Sequence, residues 1–327
     1  MKDLISIVVP MYYEELVAQE CYNRLKKVML DNDINYEFVF VNDGSQDHTM
    51  DILREIASKD HRTKVINFAR NFGHQNAVTA GVDHANGDAI VIIDADLQDP
   101  PELIPDLIEK WKEGYEVVYA KRKARKGETF FKLLTAKYFY RFLNYMSDIE
   151  IPKDTGDFRL IDRQVAQVFK RMTERNRFIR GMISWIGFRQ TYVEYERDER
   201  FAGETKYPLK KMLKFASDGI FAFSSKPLRL VTGLGSVSVL ISIALLLYSI
   251  IVKVIGYQIE TGWASIMVAI SFFSGIQLLS LGIIGQYIAR IYDESKNRPV
   301  YIVKETLNTE ELSYYKTREA ELIKTRD

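Results

Sequence analysis

Through the first 120 residues, short runs of β-branched and aromatic residues alternate with stretches whose apolar positions recur every three or four residues. Ile5–Val9, Tyr36–Val41, Lys64–Phe68, Ala89–Ile93 and Glu116–Ala120 read as strands. The segment carrying Leu16, Cys21, Leu25 and Val28, then Thr49–Lys59, Gln75–Ala85 and Glu102–Glu113, read as helices. Strand and helix in strict alternation, with near-continuous apolar strands, predict an α/β fold: a mostly parallel sheet with helices on both faces. Ligands of such sheets bind beyond the carboxyl ends of the strands. Here those ends carry Pro10 to Glu15, Asn42 to Ser45, Asp94 to Pro101 and Lys121 to Lys126.

The pattern changes after Thr129. Residues 129–148 interleave Phe130, Phe131, Leu134, Tyr138 and Phe142 with Lys132, Lys137 and Arg141. Such a segment suits the membrane interface, although an ordinary core helix has the same look. Residues 207–229 repeat the theme, with Lys210, Lys211 and Lys214 against Leu213, Phe215 and Phe221. Two uncharged stretches follow, Leu230–Val252 and Trp263–Ala289. As helices they measure about 34 and 40 Å, enough to cross a hydrocarbon core of roughly 30 Å. Lys226 and Arg229 before the first, and Arg290, Lys296 and Arg298 after the second, place the head and both termini in the cytoplasm by the positive-inside rule. The expected organisation is a head over 1–206, a juxtamembrane segment over 207–229, spans at 230–252 and 263–289, and a charged tail over 290–327. Gly233, Gly235, Gly275, Gly282 and Gly285 would permit close helix approach, including between subunits of a homo-oligomer.

Composition narrows the class. Lys+Arg 45 against Asp+Glu 44 leaves a net charge of +1, with 47% hydrophobic residues. That excludes a disordered chain and a nucleic-acid binder working by bulk charge. The single cysteine, Cys21, is expected as a buried thiol in a helix. The start of the chain has no secretory signal pattern, so a head on the side of synthesis is expected.

The sharpest chemical signal is Asp94-Ala95-Asp96-Leu97-Gln98-Asp99-Pro100-Pro101 at the end of a buried strand. Carboxylates two residues apart in extended chain project to one side, where a hard divalent cation relieves their repulsion and keeps positions open for phosphate. A second cluster pairs Val8-Val9-Pro10-Met11-Tyr12-Tyr13-Glu14-Glu15 with Asn42-Asp43-Gly44-Ser45. A strand-end carboxylate there can accept hydrogen bonds from a base or ribose. No Gly-x-Gly-x-x-Gly and no P-loop occur, which argues against a dehydrogenase or a nucleoside triphosphatase. His74 is a candidate base or ligand, or a structural residue at a helix start; His48, His61 and His84 read as surface residues. Trp111 and Trp185 read as packing, and Trp263 as an interface anchor.

With Asn71-Phe72-Gly73-His74-Gln75, Gly156-Asp157-Phe158-Arg159-Leu160 and Arg200-Phe201-Ala202-Gly203-Glu204-Thr205-Lys206-Tyr207, these motifs make the whole chain resemble the family-2 glycosyltransferases of the GT-A fold. Within them it is most similar to the polyprenyl-phosphate glycosyltransferases, dolichyl-phosphate mannose synthases and bacterial GtrB-like enzymes among them. Asn42 departs from the Asp frequent in that family, while Asp43 keeps the carboxylate. The resemblance implies that Pro10, Tyr12, Glu14 and Asp43 hold the nucleoside. Asp94, Ala95 and Asp96 would meet the nucleotide sugar, and Asp94, Asp96 and Gln98 would surround Mg2+ or Mn2+. It further implies that Arg200 and Lys206 close over the donor phosphates. Asp157 matches a position discussed as a base, yet a lipid monophosphate is largely dianionic at neutral pH and hardly needs one. Asp157 can instead orient the acceptor, bind the sugar or pair with Arg159. Arg122 and Lys137, with Arg125 behind them, are the candidates for the acceptor phosphate.

The expectation is an inverting transfer of a sugar, glucose from UDP-glucose first, to a membrane polyprenyl phosphate. A GDP-mannose-dependent transferase and a non-catalytic membrane scaffold are the alternatives. A processive polysaccharide synthase would need more spans and a Gln-x-x-Arg-Trp motif, which the sequence lacks.

Overall fold

The computed structural model describes residues 2–123, 155–196, 224–255 and 262–309. Eight strands form one sheet: β1 (Leu4–Met11), β2 (Asn35–Asn42), β3 (Thr63–Phe68), β4 (Ala89–Ile92), β5 (Val117–Arg122), β6 (Thr155–Asp162), β7 (Gln190–Tyr195) and β8 (Val303–Leu307). Their order is β7-β5-β6-β4-β1-β2-β3-β8. The centre is parallel, β4-β1-β2-β3, as the alternating pattern predicts. Strand β6 runs antiparallel between β4 and β5, and β8 runs antiparallel along β3. Helices α1 (Ala18–Asp31), α2 (Thr49–Lys59), α3 (His74–His84) and α4 (Ile104–Lys112) are the crossovers. Two more, α5 (Arg163–Arg171) and α6 (Ile179–Ile186), lie between β6 and β7.

The core explains why these runs are strands. Ile7, Val9, Phe38, Phe40, Val65 and Val91 are wholly buried, as both-face coverage of a parallel sheet requires. Cys21 is buried as expected, and burial pushes its thiol pKa up, so it is an inert packing group. Leu16 corrects the pattern reading: it precedes α1 and is 73% exposed. His84 is likewise buried rather than superficial, its Nδ1 2.8 Å from the Ala80 carbonyl one turn back.

At the amino ends of the strands lies a closed polar network. Ser6 Oγ donates to Glu37 Oε1 (2.6 Å), which also accepts the Asn86 N–H (2.7 Å). Lys64 Nζ sits 2.8 Å from Glu37 Oε2, and Gly87 N–H donates to Ser6 Oγ. Four chain segments are thereby stitched around one carboxylate.

Strand β8 lies in the segment 290–327, expected as a tail. It is fixed to the head by side chains as well as by its ladder. Arg54 pairs with both Glu305 oxygens (3.3 and 2.8 Å), and Asn308 Nδ2 donates to the carbonyls of Ala57 and Thr63. Tyr301 stacks on Phe68 at 5.1 Å and donates to Asp83.

Between β7 and β8 in sequence come α7 (Lys226–Val254) and α8 (Trp263–Ser295). Both are long and apolar enough to cross a membrane, with windows at mean hydropathy 2.3 and 1.9. Most of their described apolar side chains are exposed, Leu240 and Leu246 among them, which fits a lipid rather than a protein surround. A methyl group at any of Gly233, Gly235, Gly275, Gly282 and Gly285 would meet no atom within 4 Å. These glycines are therefore not what brings α7 and α8 together.

Candidate active site

Parallel β1, β2, β3 and β4 deliver their carboxyl ends to one edge of the sheet, and β5 and β7 run the same way. Antiparallel β6 brings its beginning there instead: Arg159 pairs with Ile92, and Thr155 with Lys121. Residues far apart in sequence thus meet on one rim.

On one side of that rim, Asp43 follows β2 and is 3% exposed. Its carboxylate accepts the N–H of Phe72 (2.6 Å), the N–H of Gly73 (2.9 Å) and Asn71 Nδ2 (2.9 Å). Burial pushes its pKa up against the pull of those N–H groups. Gly44 has φ +69°, and a methyl there would lie 2.4 Å from the Arg70 carbonyl carbon, so this approach requires glycine. Asn42, the departure noted in the motif, is buried and donates to Asn67 Oδ1 (2.9 Å), holding β2 to β3. Nearby, Tyr12 and Tyr13 are exposed and meet edge to face at 4.6 Å. Pro10 is buried in β1, and Glu14 is half-buried with its N–H on Thr49 Oγ1. A solvent-open aromatic pair above a buried carboxylate suits a flat, hydrogen-bonding ligand.

Beyond β4, exposure alternates. Asp94, Asp96 and Gln98 are half-buried at the rim, while Ala95, Leu97 and Asp99 point into the protein. Leu97 has φ +57°, a backbone strain held between the second carboxylate and the amide. Asp96 Oδ1 accepts the Gln98 N–H (3.1 Å). Asp94 Oδ1 is buried without a hydrogen-bond partner. Burial raises the Asp94 pKa, helped by Asp157, Asp99 and Asp96, with His74 opposing. Among the described residues no three His, Cys, Asp or Glu side chains converge to enclose a metal. Two carboxylates and an amide with an orphaned oxygen nevertheless fit a hard cation that takes its other ligands from phosphate and water.

Asp157, at the start of β6, is enclosed by cations. Arg180 Nε donates to its Oδ1 (2.8 Å), His74 Nε2 is 3.2 Å from Oδ2, and Arg159 Nη2 is 3.6 Å from Oδ1. Burial would raise its pKa, but Arg180 and His74 hold it well below the usual carboxylate range. Such a group is a poor proton acceptor and a good anchor. The same His74 nitrogen stands 3.6 Å from Asp94 Oδ1. Burial pulls the His74 pKa down, yet Asp94 and Asp157 together lift it to about 9. His74 opens α3 directly after Gly73, so one loop links the Asp43 end of the rim to the Asp94 end.

Arg122 closes β5. Its Nη2 is 3.5 Å from Asp99 Oδ1, and its Nε donates to Tyr195 Oη (3.1 Å). Tyr195 in turn donates a short hydrogen bond to Asp99, which is fully buried. Burial, then Asp99, push the Tyr195 pKa up.

The structure therefore brings Pro10, Tyr12, Glu14, Asp43, Asp94, Asp96, Gln98, Arg122 and Asp157 to one rim. Lys137, Arg200, Lys206 and the helix expected over 129–148 lie outside the described residues. Pattern reasoning did not single out Asp99, Tyr195 or Arg180. For Arg159, wholly buried with Nη2 on the Gly156 carbonyl (2.8 Å), the signal was a charge within the apolar run Phe158-Arg159-Leu160-Ile161. Arg180 had a weaker one, a lone charge in Phe178-Ile179-Arg180-Gly181-Met182. Trp111 packs on the core and donates to Asp162 Oδ2 (2.7 Å), as its packing role requires. Trp185 is 60% exposed, which overturns the same reading for it.

The family model described as Glycosyl transferase family 2 matches residues 6–169. An uncharacterized glycosyltransferase of Bacillus subtilis (strain 168), YkcC, is 60% identical over 314 residues, covering 95% of this chain and 96% of its own. A prophage bactoprenol glucosyl transferase homolog of Escherichia coli (strain K12) is 42% identical over 300 residues, covering 92% and 98%. Among solved structures, glucosyl-3-phosphoglycerate synthase from Mycobacterium tuberculosis in complex with phosphoglyceric acid matches with TM-score 0.44 and 21% identity. The match covers 67% of this chain and 78% of that one.

Proposed function

The chain belongs to glycosyl transferase family 2, and we propose that within it the protein transfers glucose from UDP-glucose to the phosphate of a membrane polyprenyl phosphate, with inversion. The observation that carries this reading is the meeting, on one rim, of a nucleoside-suited end at Asp43, the Asp94–Gln98 row, and arginines held by buried acids. The relatives named bactoprenol glucosyl transferases support the acceptor and the sugar. The two apolar helices support a membrane-anchored enzyme, with the head in the cytoplasm by the charge rule.

In this mechanism Tyr12, Glu14 and the Asp43 loop seat the uridine. Asp94, Asp96 and Gln98 would hold Mg2+ or Mn2+, which supplies positive charge against the donor's diphosphate. An acceptor phosphate oxygen forms the new bond to the anomeric carbon from the face opposite the diphosphate. The bond from that carbon to the diphosphate oxygen breaks, and its electron pair leaves with UDP. Arg200 and Lys206 neutralise the charge that develops there. No proton need be removed, because the phosphate monoester is largely dianionic at neutral pH. Asp157, pinned by Arg180 and His74, accordingly serves as a positioning anion. A homo-oligomer remains part of the proposal on the small residues of the spans.

The test is transfer of radiolabel from a panel of nucleotide sugars, GDP-mannose included, into organic-extractable polyprenyl phosphate, with and without EDTA. A labelled lipid formed from UDP-glucose and abolished by EDTA is expected. Label from GDP-mannose alone would replace the donor. Transfer unaffected by saturating EDTA would remove the metal, and no product from any donor by folded, nucleotide-binding protein would favour the scaffold.

A further inference from the structure

We propose that Tyr13 forms, with Tyr12, an aromatic corner that receives the nucleobase of the donor, and that its left-handed backbone is a strain kept for that contact. The inference rests on the transferase reading above and gives a role to a residue which that reading leaves without one.

Backbone conformation singles Tyr13 out. Among the described residues, those other than glycine with positive φ are Tyr13, Asp33, Leu97, Asn297 and Asn308. Asp and Asn enter the left-handed region at little cost, because their short polar side chains bond locally. A bulky side chain there is an outlier. The two bulky cases, Tyr13 at φ +56° and Leu97 at φ +57°, both belong to the rim described above, beside Asp43 and within the Asp94–Gln98 row. They differ in what surrounds them. Leu97 is 3% exposed, so packing offsets its strain, whereas Tyr13 is 42% exposed and its ring has a single aromatic neighbour, Tyr12. Nothing inside the fold repays the conformation of Tyr13.

The turn is held in place by the loop that follows β2. Tyr13 N–H donates to Ser45 Oγ (3.0 Å), Glu14 N–H to Thr49 Oγ1 (3.0 Å) and Glu15 N–H to Asp47 Oδ2 (3.4 Å). His48 N–H returns a bond to Glu15 Oε2 (3.0 Å), and Asp43 N–H reaches the Met11 carbonyl (2.9 Å). A strained residue persists where its surroundings over-determine it, and such residues cluster at ligand clamps. The same bonds keep Tyr13 against the turn that carries Asp43. Burial, then Tyr13 and Asp43, push the Tyr12 hydroxyl pKa up, so that hydroxyl feels both neighbours. The two rings stand at 81° to each other. A base laid against one of them therefore has the other at its edge, which combines stacking with an edge-to-face contact.

The experiment measures UDP binding by calorimetry and thermal unfolding without nucleotide, both on the full chain in detergent. Loss of one base–aromatic contact corresponds to roughly 5- to 150-fold in affinity. Tyr13→Asn removes the ring and tolerates the left-handed backbone. It should weaken UDP binding at least ~5-fold and at the same time raise the melting temperature by about 2 °C or more. Tyr13→Gly should move both quantities in the same directions. Tyr13→Phe, which keeps the ring and the strain, should leave UDP affinity within about threefold and the melting temperature unchanged. Opposite signs for affinity and stability are what a packing role would not produce. The corner is overturned if Tyr13→Asn binds UDP within twofold of wild type, or if its melting temperature falls. The transferase reading is judged separately, on the wild type. A wild type that binds UDP but glycosylates no polyprenyl phosphate loses that reading while the variants still decide the corner. One that binds GDP in place of UDP changes the donor, and the same comparison made with GDP decides Tyr13. A wild type that binds neither nucleotide overturns both.

Discussion

The two ends of the sheet carry carboxylates in opposite conditions. At the amino ends, Glu37 has a hydroxyl, a backbone N–H and an ammonium on its two oxygens, all supplied by the chain itself. At the carboxyl ends, Asp94 keeps a buried oxygen with no hydrogen-bond partner, beside Asp96 and within reach of His74. A complete network holds strands together; an incomplete one is a demand for something from outside. For these two carboxylates the difference is in keeping with the proposed site at the carboxyl ends.

The contrast is broken most sharply by substituting one carboxylate at each end. Asp94→Asn is expected to reduce sugar transfer by on the order of 10³, about 4 kcal/mol of barrier. Its melting temperature should stay within about 2 °C of wild type, because Asp94 Oδ1 has no hydrogen-bond partner and His74, 3.6 Å away, keeps Asp157 at 3.2 Å. Transfer assays and thermal unfolding of the same preparation check both halves. A large fall in melting temperature would make Asp94 a structural residue like Glu37.

Glu37→Ala should do the reverse. Removing it strands Lys64 and the Asn86 N–H in a buried setting, a loss of about 3 kcal/mol. Activity at a temperature where the variant is folded should remain near wild type. Denaturant unfolding measures the first effect, and loss of activity in the folded state would erase the distinction between the two ends.

Asp60 sharpens the comparison through pH. Burial works to raise its pKa, but hydrogen bonds from Lys26, Arg62 and Tyr22 bring it down to about 2. A carboxyl depressed in the folded state adds stability that is fully present above its unfolded value near ~3.9 and fades as pH falls through about 2. Asp60→Asn should therefore cost about 2 kcal/mol at pH 7, with the gap to wild type closing below pH 4. A pH-independent gap would mean that packing, not charge, is what Asp60 contributes.

The parallel half of this fold was legible because each of its strands buries both faces and so is nearly continuous in apolar residues, with Ser6, Glu37 and Lys64 paired among themselves. Thr49–Lys59 was read with the bounds that α2 has, since its ends coincide with clear turn chemistry. Strand β6 escaped notice because a buried arginine interrupts its apolar run, and that arginine makes sense only through partners from β5 and from its own turn. Strand β8 escaped because Val-Lys-Glu-Thr-Leu is an edge strand with one wet face, whose key contact, Arg54 with Glu305, joins positions from opposite ends of the chain. At the site, Asp94, Asp96 and Asp43 were legible as strand-end carboxylates. Arg180 was not, because its importance comes from Asp157, which stands on a different element.

Strand β8 also changes what the hairpin of apolar helices is. Since the chain re-enters the sheet after α8, the hairpin is an insertion within the head domain and not an appendage to it. Cutting the chain before α7 would remove the apolar helices and the outermost strand together, leaving β3 as a bare, sticky rim prone to pairing with other chains. A soluble head is better sought by replacing the hairpin with a flexible bridge, so that Val303–Leu307 stays in covalent reach of the edge it completes.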